Sequence, residues 1–203
     1  GYPSSINFFA DYISKNGTNI VHPKAIFTTS EKLLPNMREK IERTFDCEVY
    51  DGYGLNDGGV SAFECSRHNG LHVDTERSIM EVVDDTGAQI EDGIGRILAT
   101  SLHNYAMPFI RYDTGDMGHI VEDFCSCGRG SRLLKEVIGR SVDILRTPEG
   151  KSVHGWFLLY IFWEYGKGIK EYQVIQEKLD KLVIKIVPED GFDGKQLEII
   201  REI

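Results

Sequence analysis

The chain has 203 residues and a formal net charge of -9, with 41% hydrophobic and 27% charged residues. This composition is typical of a folded globular protein and argues against disorder. The negative balance disfavours non-specific nucleic-acid binding, which needs a basic surface, and no apolar stretch is long enough for a transmembrane span. Four cysteines are too few for a disulfide scaffold at this length, so we expect a reducing, cytoplasmic compartment.

Hydrophobic spacing predicts alternating helices and strands in the first quarter of the chain. Gly17 is a helix stop, and Pro35 is suited to the first turn of a helix. The predicted elements are helices over 5–14 and 35–45, and strands over 25–29 and 47–50. The chain begins without Met and closes inside a helical pattern, so we expect a piece of a longer protein.

The pattern becomes β-rich from residue 71, with turn signals at Asp85-Thr86-Gly87 and Asp92-Gly93. Strands are predicted over 79–84, 95–102, 117–121 and 132–138. We therefore expect an α/β fold with a β-rich part, forming a large domain over 1–140.

A small α+β domain is predicted over 141–203. An aromatic-rich helix over 155–165 precedes two alternating strands, over 171–177 and 181–187, and a helix begins near Gly194. The aromatic run is interpreted as a face packed on the small sheet rather than a cofactor site.

The segment YGLNDGG at 53–59 follows a strand and is rich in glycine, which frees backbone N–H groups to face a ligand. Tyr53 offers a ring for stacking on a base, and Asp57 offers a carboxylate for a hydrated cation. An ordinary tight turn is the alternative interpretation.

Two further segments carry polar residues at turns. In IRYDTGD at 110–116, Asp116 can accept two hydrogen bonds from vicinal ribose hydroxyls, or it can cap its own turn. The segment GRSVDIL at 139–145 lies at the predicted domain boundary.

The three segments, in this order and spacing, resemble the adenylate-forming superfamily of acyl-CoA synthetases, peptide-synthetase adenylation domains and luciferases. Within it, the chain resembles the phenylacetate–coenzyme A ligase branch, which includes capsular polysaccharide biosynthesis proteins. PFIRY at 108–112, CSCGR at 125–129 and GLH at 70–72 are typical of that branch. The resemblance implies the end of the large N-terminal domain followed by the start of the mobile C-terminal domain.

The resemblance also implies roles for individual residues. Tyr53 corresponds to the residue that stacks on adenine, Asp116 to the ribose-binding aspartate, and Asp57 to the acidic residue that holds magnesium and phosphates. Asp57 and Arg140 are the implied catalytic residues. The implied nucleotide-binding set is Ser30, Glu31, Asp51, Gly52, Tyr53, Gly54, Asn56, Asp116 and Arg140.

Several family features are changed or absent. Asn56-Asp57 replaces Thr-Glu, Asp113 replaces an arginine, and Val142 replaces an aspartate at the hinge, which is predicted at 142–143. The phosphate loop and the carboxylate-polarising lysine of the family are not found in these 203 residues. The chain by itself is therefore expected to be inactive in adenylation, because the triphosphate charge stays uncompensated.

Three cysteines and one histidine form a candidate structural zinc set, since three thiolates and one imidazole complete a closed tetrahedral site. The cysteines are Cys65, Cys125 and Cys127. His72 is the preferred fourth ligand because it belongs to the GLH pattern, and His68 is the alternative. Three reduced surface thiols are the competing interpretation.

The function implied by the resemblance is ATP-dependent activation of a carboxylic acid, with an aryl acid expected, followed by transfer to coenzyme A. The cofactors implied are ATP or AMP, magnesium, coenzyme A and structural zinc; a homodimer is a further expectation. Two alternatives stay open: acyl transfer in polysaccharide biosynthesis, and a catalytically degenerate, zinc-stabilised binding module.

Overall fold

The computed structural model describes residues 1–17, 22–141, 144–192 and 194–202. The chain folds as two compact units, Gly1–Ile138 and Gly139–Ile203. The elements up to the division are α1 (Pro3–Asn16), β1 (Ala25–Thr29), α2 (Pro35–Phe45), β2 (Glu48–Gly54), β3 (Ser61–Glu64), β4 (Leu71–Val73), β5 (Ser78–Val83), β6 (Gly93–Ser101), β7 (Tyr112–Val121) and β8 (Leu133–Arg140).

An eight-stranded sheet with the order β1-β2-β3-β4-β8-β7-β6-β5 organises the first unit. β1 and β2 are parallel, and α2 connects them, as a parallel pair requires. The pairs β2–β3, β3–β4, β4–β8, β5–β6 and β6–β7 are antiparallel. The predicted α/β class with a β-rich part is thus confirmed.

The two helices of the first unit lie close to their predicted positions: α1 extends two residues beyond 5–14 at each end, and α2 spans the predicted 35–45. Proline occupies the first turn of each, and Gly17 ends α1 with a left-handed φ of 61°. Their apolar faces pack together and against β2, and each fully buried aliphatic side chain contributes about 1.5–3 kcal/mol. The buried members of this cluster are Ala10, Ile13, Ile41, Phe45 and Val49.

A second cluster fills the antiparallel part of the sheet. Tyr53 and Leu55, at the end of β2, pack against it while staying partly exposed. This packing fixes the start of the glycine-rich segment on a rigid support. The buried members are Val60, Ala62, Leu71, Val73, Met80, Val82, Ile97, Ala99, Ile120 and Leu134.

Two sequence predictions about turns were wrong. β2 continues through the first glycines to Gly54, because it is paired with β1 on one side and β3 on the other. A Cβ on Gly52 would lie 2.8 Å from the Phe63 ring, so glycine permits this close pairing. Asp116 likewise lies inside β7 rather than at the end of a turn.

The described residues of the second unit form two antiparallel strand pairs and two helices. Its described core joins Ile161, Phe162 and Ile200, and the Phe162 ring stacks on Tyr172 at a centroid distance of 3.8 Å. No described helix has the length and apolarity needed to cross a membrane. The predicted hinge, 142–143, lies outside the described residues. The elements are β9 (Ile144–Arg146), β10 (Ser152–His154), α3 (Trp156–Tyr165), β11 (Ile169–Lys178), β12 (Lys181–Pro188) and α4 (Lys195–Glu202).

Candidate functional site

The carboxyl ends of the parallel strands β1 and β2 meet at one edge of the sheet, because Thr29 pairs with Gly52. In open α/β sheets, ligands bind outside the carboxyl ends of such strands. Ser30 follows β1 directly and adopts a left-handed φ of 71°. Glu31 is exposed, and its Oε2 accepts a hydrogen bond of 3.0 Å from the backbone N–H of Ser4 in α1. We call this edge, with residues 51–57 and Asp116, the nucleotide edge, after the ligand that the family resemblance led us to expect there.

Asp51 holds the two parallel strands together. Its Oδ1 accepts a hydrogen bond of 2.7 Å from the Thr28 hydroxyl on β1. Burial raises the pKa of Asp51 above its ordinary value, and the hydrogen bond from Thr28 partly offsets that rise. The carboxylate of this predicted nucleotide-binding residue is therefore engaged within the protein.

An ion pair that was not predicted from the sequence holds the backbone of β2 in place. Arg38 on α2 donates two hydrogen bonds of 2.8 Å to the Glu64 carboxylate and another to the Val49 carbonyl. Glu64 Oε2 also accepts the backbone N–H of Asp51 at 2.8 Å. The pairing of β2 with β3 runs from Gly54 back to Gly52, and the Glu64 side chain bonds the next residue of β2, Asp51. No local pattern marks this pair, because its members are far apart in the chain.

Tyr53 and Asp116 are in direct contact. The Tyr53 hydroxyl donates to Asp116 Oδ2 at 2.8 Å, across 63 positions of sequence. Burial raises the pKa of Tyr53 far above its ordinary value, and the Asp116 charge raises it further. The structure therefore brings together two residues that the sequence analysis assigned to the same nucleotide.

A bulge in β7 presents Asp116. Residues 114–116 lie opposite Ile97 of β6, between the regular pairs Leu98–Asp113 and Arg96–Met117. The Asp116 backbone N–H donates to the Thr114 hydroxyl, which in turn donates to the Ile97 carbonyl. Bulges of this kind redirect a side chain.

Asn56 and Asp57 are exposed in the turn between β2 and β3. The Leu55 N–H bonds the Val60 carbonyl at 3.1 Å and closes this turn. A Cβ on Gly58 would lie 2.3 Å from the Ala99 side chain, so glycine lets the turn rest on β6. An exposed carboxylate here suits Mg²⁺, which takes one or two carboxylates and keeps several waters.

The remaining predicted residues are Gly54, which is exposed at the end of β2, and Arg140. Arg140 is the last residue of β8 and lies in the second unit, where it is exposed. Asp113, which replaces a family arginine, forms an ion pair with Arg96.

The structure brings Cys65, His72, Cys125 and Cys127 together, with their four ligand atoms within 4.8 Å of one another. We call these residues the metal cluster. The Sγ atoms of Cys65 and Cys125 are 3.7 Å apart, and Cys127 Sγ is 3.4 Å from His72 Nε2. Ligands about 2.3 Å from a tetrahedral zinc ion are separated by about 3.8 Å, so the spacing fits zinc.

The surroundings of the cluster favour metal binding. Ser131 Oγ lies 3.1 Å from His72 Nδ1, which leaves Nε2 facing the sulfur atoms. Burial, followed by the Arg129 charge, lowers the pKa of His72 and keeps its imidazole neutral. The backbone N–H of Arg129 lowers the pKa of Cys127, whereas burial raises that of Cys65.

His68, the alternative ligand, is placed elsewhere. Its Nδ1 lies 3.1 Å from Glu64 Oε2 and 3.2 Å from an Arg38 guanidinium nitrogen. The Tyr50 ring covers it at a centroid distance of 5.1 Å. The geometry therefore selects His72 as the candidate fourth ligand.

Comparisons with known proteins agree on one family. Residues 145–203 match the CapK C-terminal domain. Protein CapK of Staphylococcus aureus is 25% identical over 199 residues, covering 97% of this chain and 43% of that protein. Phenylacetate-coenzyme A ligase of Thermus thermophilus is 27% identical over 164 residues, covering 77% of this chain and 37% of the ligase. The chain spans about two fifths of the length of these curated relatives.

The fold also matches solved structures. A crystal structure of 2-hydroxyisobutyryl-CoA ligase, in the postadenylation state in complex with 2-HIB-AMP, superposes with a TM-score of 0.71 at 22% identity. The match covers 100% of this chain and 46% of that ligase. The chain belongs to the adenylate-forming family of phenylacetate–coenzyme A ligases and CapK-like proteins.

Proposed function

We propose that the protein containing this chain activates a carboxylic acid with ATP, forms an acyl-adenylate, and transfers the acyl group to coenzyme A. The observation that carries this proposal is the hydrogen bond between Tyr53 and Asp116 at the carboxyl ends of the parallel strands. It joins a ring suited to stacking on a base with a carboxylate suited to ribose hydroxyls. The family membership supplies the reaction class.

In this reaction, the substrate carboxylate attacks the α-phosphorus of ATP, and pyrophosphate leaves. The chain's share is to hold the nucleotide: Tyr53 lies against adenine, Asp116 accepts the ribose hydroxyls, and Arg140 offers positive charge. Mg²⁺, when bound, neutralises phosphate charge, and Asp57 is the residue proposed to hold it.

The metal cluster is proposed to bind zinc in a structural role. Four protein ligands close the tetrahedron and leave no position for a catalytic water. The ligands join the segment after β3, strand β4 and the loop between β7 and β8. Zinc would therefore tie together segments that are far apart in sequence.

An aryl acid is the proposed substrate class, since phenylacetate-coenzyme A ligases are among the relatives. A second candidate is acyl transfer in polysaccharide biosynthesis, which the CapK match over 97% of the chain favours. Dependence on coenzyme A separates the two, because only the first function requires it as acceptor.

The test is acid-dependent ATP–pyrophosphate exchange by the full-length protein, against aryl, fatty and hydroxy acids. Exchange with aryl acids, and AMP release that requires coenzyme A, would support the proposal. The Asp116→Ala variant is expected to raise the KM for ATP about tenfold or more, because a charged acceptor of ribose hydroxyls is lost. No exchange with any acid, in folded and zinc-loaded protein, would favour the degenerate binding module instead.

A further inference from the structure

We propose that Tyr53 is a positioning residue that fixes Asp116 for the ribose, and thereby sets the preference for nucleotides that carry the ribose hydroxyls over dideoxy nucleotides. The inference rests on the proposed function, because it concerns the nucleotide that the edge binds. It adds a role for the phenol hydroxyl, separate from stacking by the ring.

The two oxygens of Asp116 have different surroundings. Oδ2 accepts the Tyr53 hydroxyl at 2.8 Å. Within the part of the chain that the structure describes, Oδ1 has no hydrogen-bond donor, and Asp116 is partly exposed. One oxygen is thus held by the protein, and the other is left for a hydroxyl group of a ligand.

The backbone beneath Asp116 is already fixed. The Asp116 N–H bonds the Thr114 hydroxyl at 3.1 Å, that hydroxyl bonds the Ile97 carbonyl at 2.9 Å, and Gly115 supplies a left-handed φ of 74°. These backbone hydrogen bonds still allow the Asp116 side chain to rotate. The bond from Tyr53 prevents this rotation, and a hydrogen bond to a carboxylate is stronger than one between neutral groups.

The Tyr53 hydroxyl stays protonated and can therefore donate a hydrogen bond in this position. The Tyr53 ring packs against the sheet core, and this burial raises its pKa, so it stays protonated at neutral pH. Because a protonated phenol donates and a carboxylate accepts, the pair needs no proton transfer to hold its geometry.

The Tyr53→Phe variant separates this role from stacking, since it keeps the ring and removes the hydroxyl. In ATP–pyrophosphate exchange by the full-length protein, kcat/KM for ATP is expected to fall about tenfold, mainly through KM. With 2′,3′-dideoxy-ATP, which lacks the hydroxyls, the same variant is expected to match the wild type. The preference for ATP over the dideoxy nucleotide should therefore fall about tenfold.

Two further variants complete the design. Tyr50→Phe is the matched control, because Tyr50 lies on the same strand and its hydroxyl bonds Glu48 instead; it should keep the wild-type preference. Asp116→Asn should lower the preference for ATP, and adding Tyr53→Phe to it should cause little additional loss, because both changes remove one interaction.

Equal losses with ATP and the dideoxy nucleotide in Tyr53→Phe would overturn the inference, as would an unchanged preference. Calorimetry of AMP and 2′,3′-dideoxy-AMP binding by the same proteins tests the role of Tyr53 separately from the proposed reaction. If no acid supports exchange, but Tyr53→Phe abolishes a wild-type preference for AMP, the reaction is wrong and the role of Tyr53 stands. If the wild type binds both nucleotides equally, or binds neither, the role of Tyr53 is wrong.

Discussion

The metal cluster and the nucleotide edge are built in opposite ways from the same sheet. In the metal cluster, three of the four candidate ligands are buried, and the four ligand atoms lie within 4.8 Å of one another. At the nucleotide edge, Ser30, Asn56 and Asp57 are exposed, and the buried groups serve to hold β2 in place. A closed metal site needs side chains that lie close to one another. A site for a larger ligand needs exposed side chains that are held in position by a rigid backbone.

Loss of the proposed zinc should have the largest effect, because the metal cluster joins three separate segments of the first unit. Cys125→Ser is expected to lose about one equivalent of zinc and about 4 kcal/mol of stability, which lowers Tm by about 10 °C. Zinc analysis and a thermal melt measure both. Cys47→Ala is the control, since Cys47 lies outside the metal cluster. Wild-type protein that retains no zinc and keeps its Tm with a chelator would exclude the metal role.

Glu64 connects the metal cluster with the nucleotide edge. It precedes Cys65 in the chain, and its carboxylate holds Arg38 and the Asp51 N–H. Glu64→Ala removes both hydrogen bonds from Arg38 to this carboxylate and leaves the Asp51 N–H without its partner, while Arg38 keeps its bond to the Val49 carbonyl. The change is expected to cost about 2 kcal/mol in urea unfolding.

The control for Glu64→Ala is Glu177→Ala, which breaks the exposed ion pair with Lys181. Such a pair contributes about 0.5 kcal/mol. If both variants lost the same free energy of unfolding, Glu64 would stabilise β2 no more than an exposed ion pair does.

The smallest expected effect is the change in the pH dependence of stability when Asp51, at the nucleotide edge, is replaced. Because burial raises its pKa, the folded state binds a proton more tightly than the unfolded state, and Asp51 lowers stability as pH rises through that window. Asp51→Asn removes the effect while keeping an acceptor for Thr28. In urea unfolding, the stability of the variant relative to the wild type should therefore increase as the pH rises above about 4, the ordinary pKa of aspartate. A difference that is constant with pH would contradict this sign.

The sequence was sufficient where the determining signals are local. Gly17 marked the end of α1, and Pro35 marked the beginning of α2. The motifs around Tyr53, Asp116 and Cys125 were recognised from short segments, and they carried the family resemblance and the candidate site residues. Backbone pairing is non-local, so β3 and β4 were missed and β2 was predicted too short.

The fold class, the family and the residue types available for nucleotide and metal binding could be predicted from the amino-acid sequence. Tertiary structure decided which of them meet: His72 rather than His68 faces the cysteines, and Tyr53 reaches Asp116 across a bulge. It also assigned Asp51 and Glu64 to supporting β2. The physical reason is that hydrogen bonds and metal geometry depend on distances of about 3 Å, and only strand pairing brings distant residues that close.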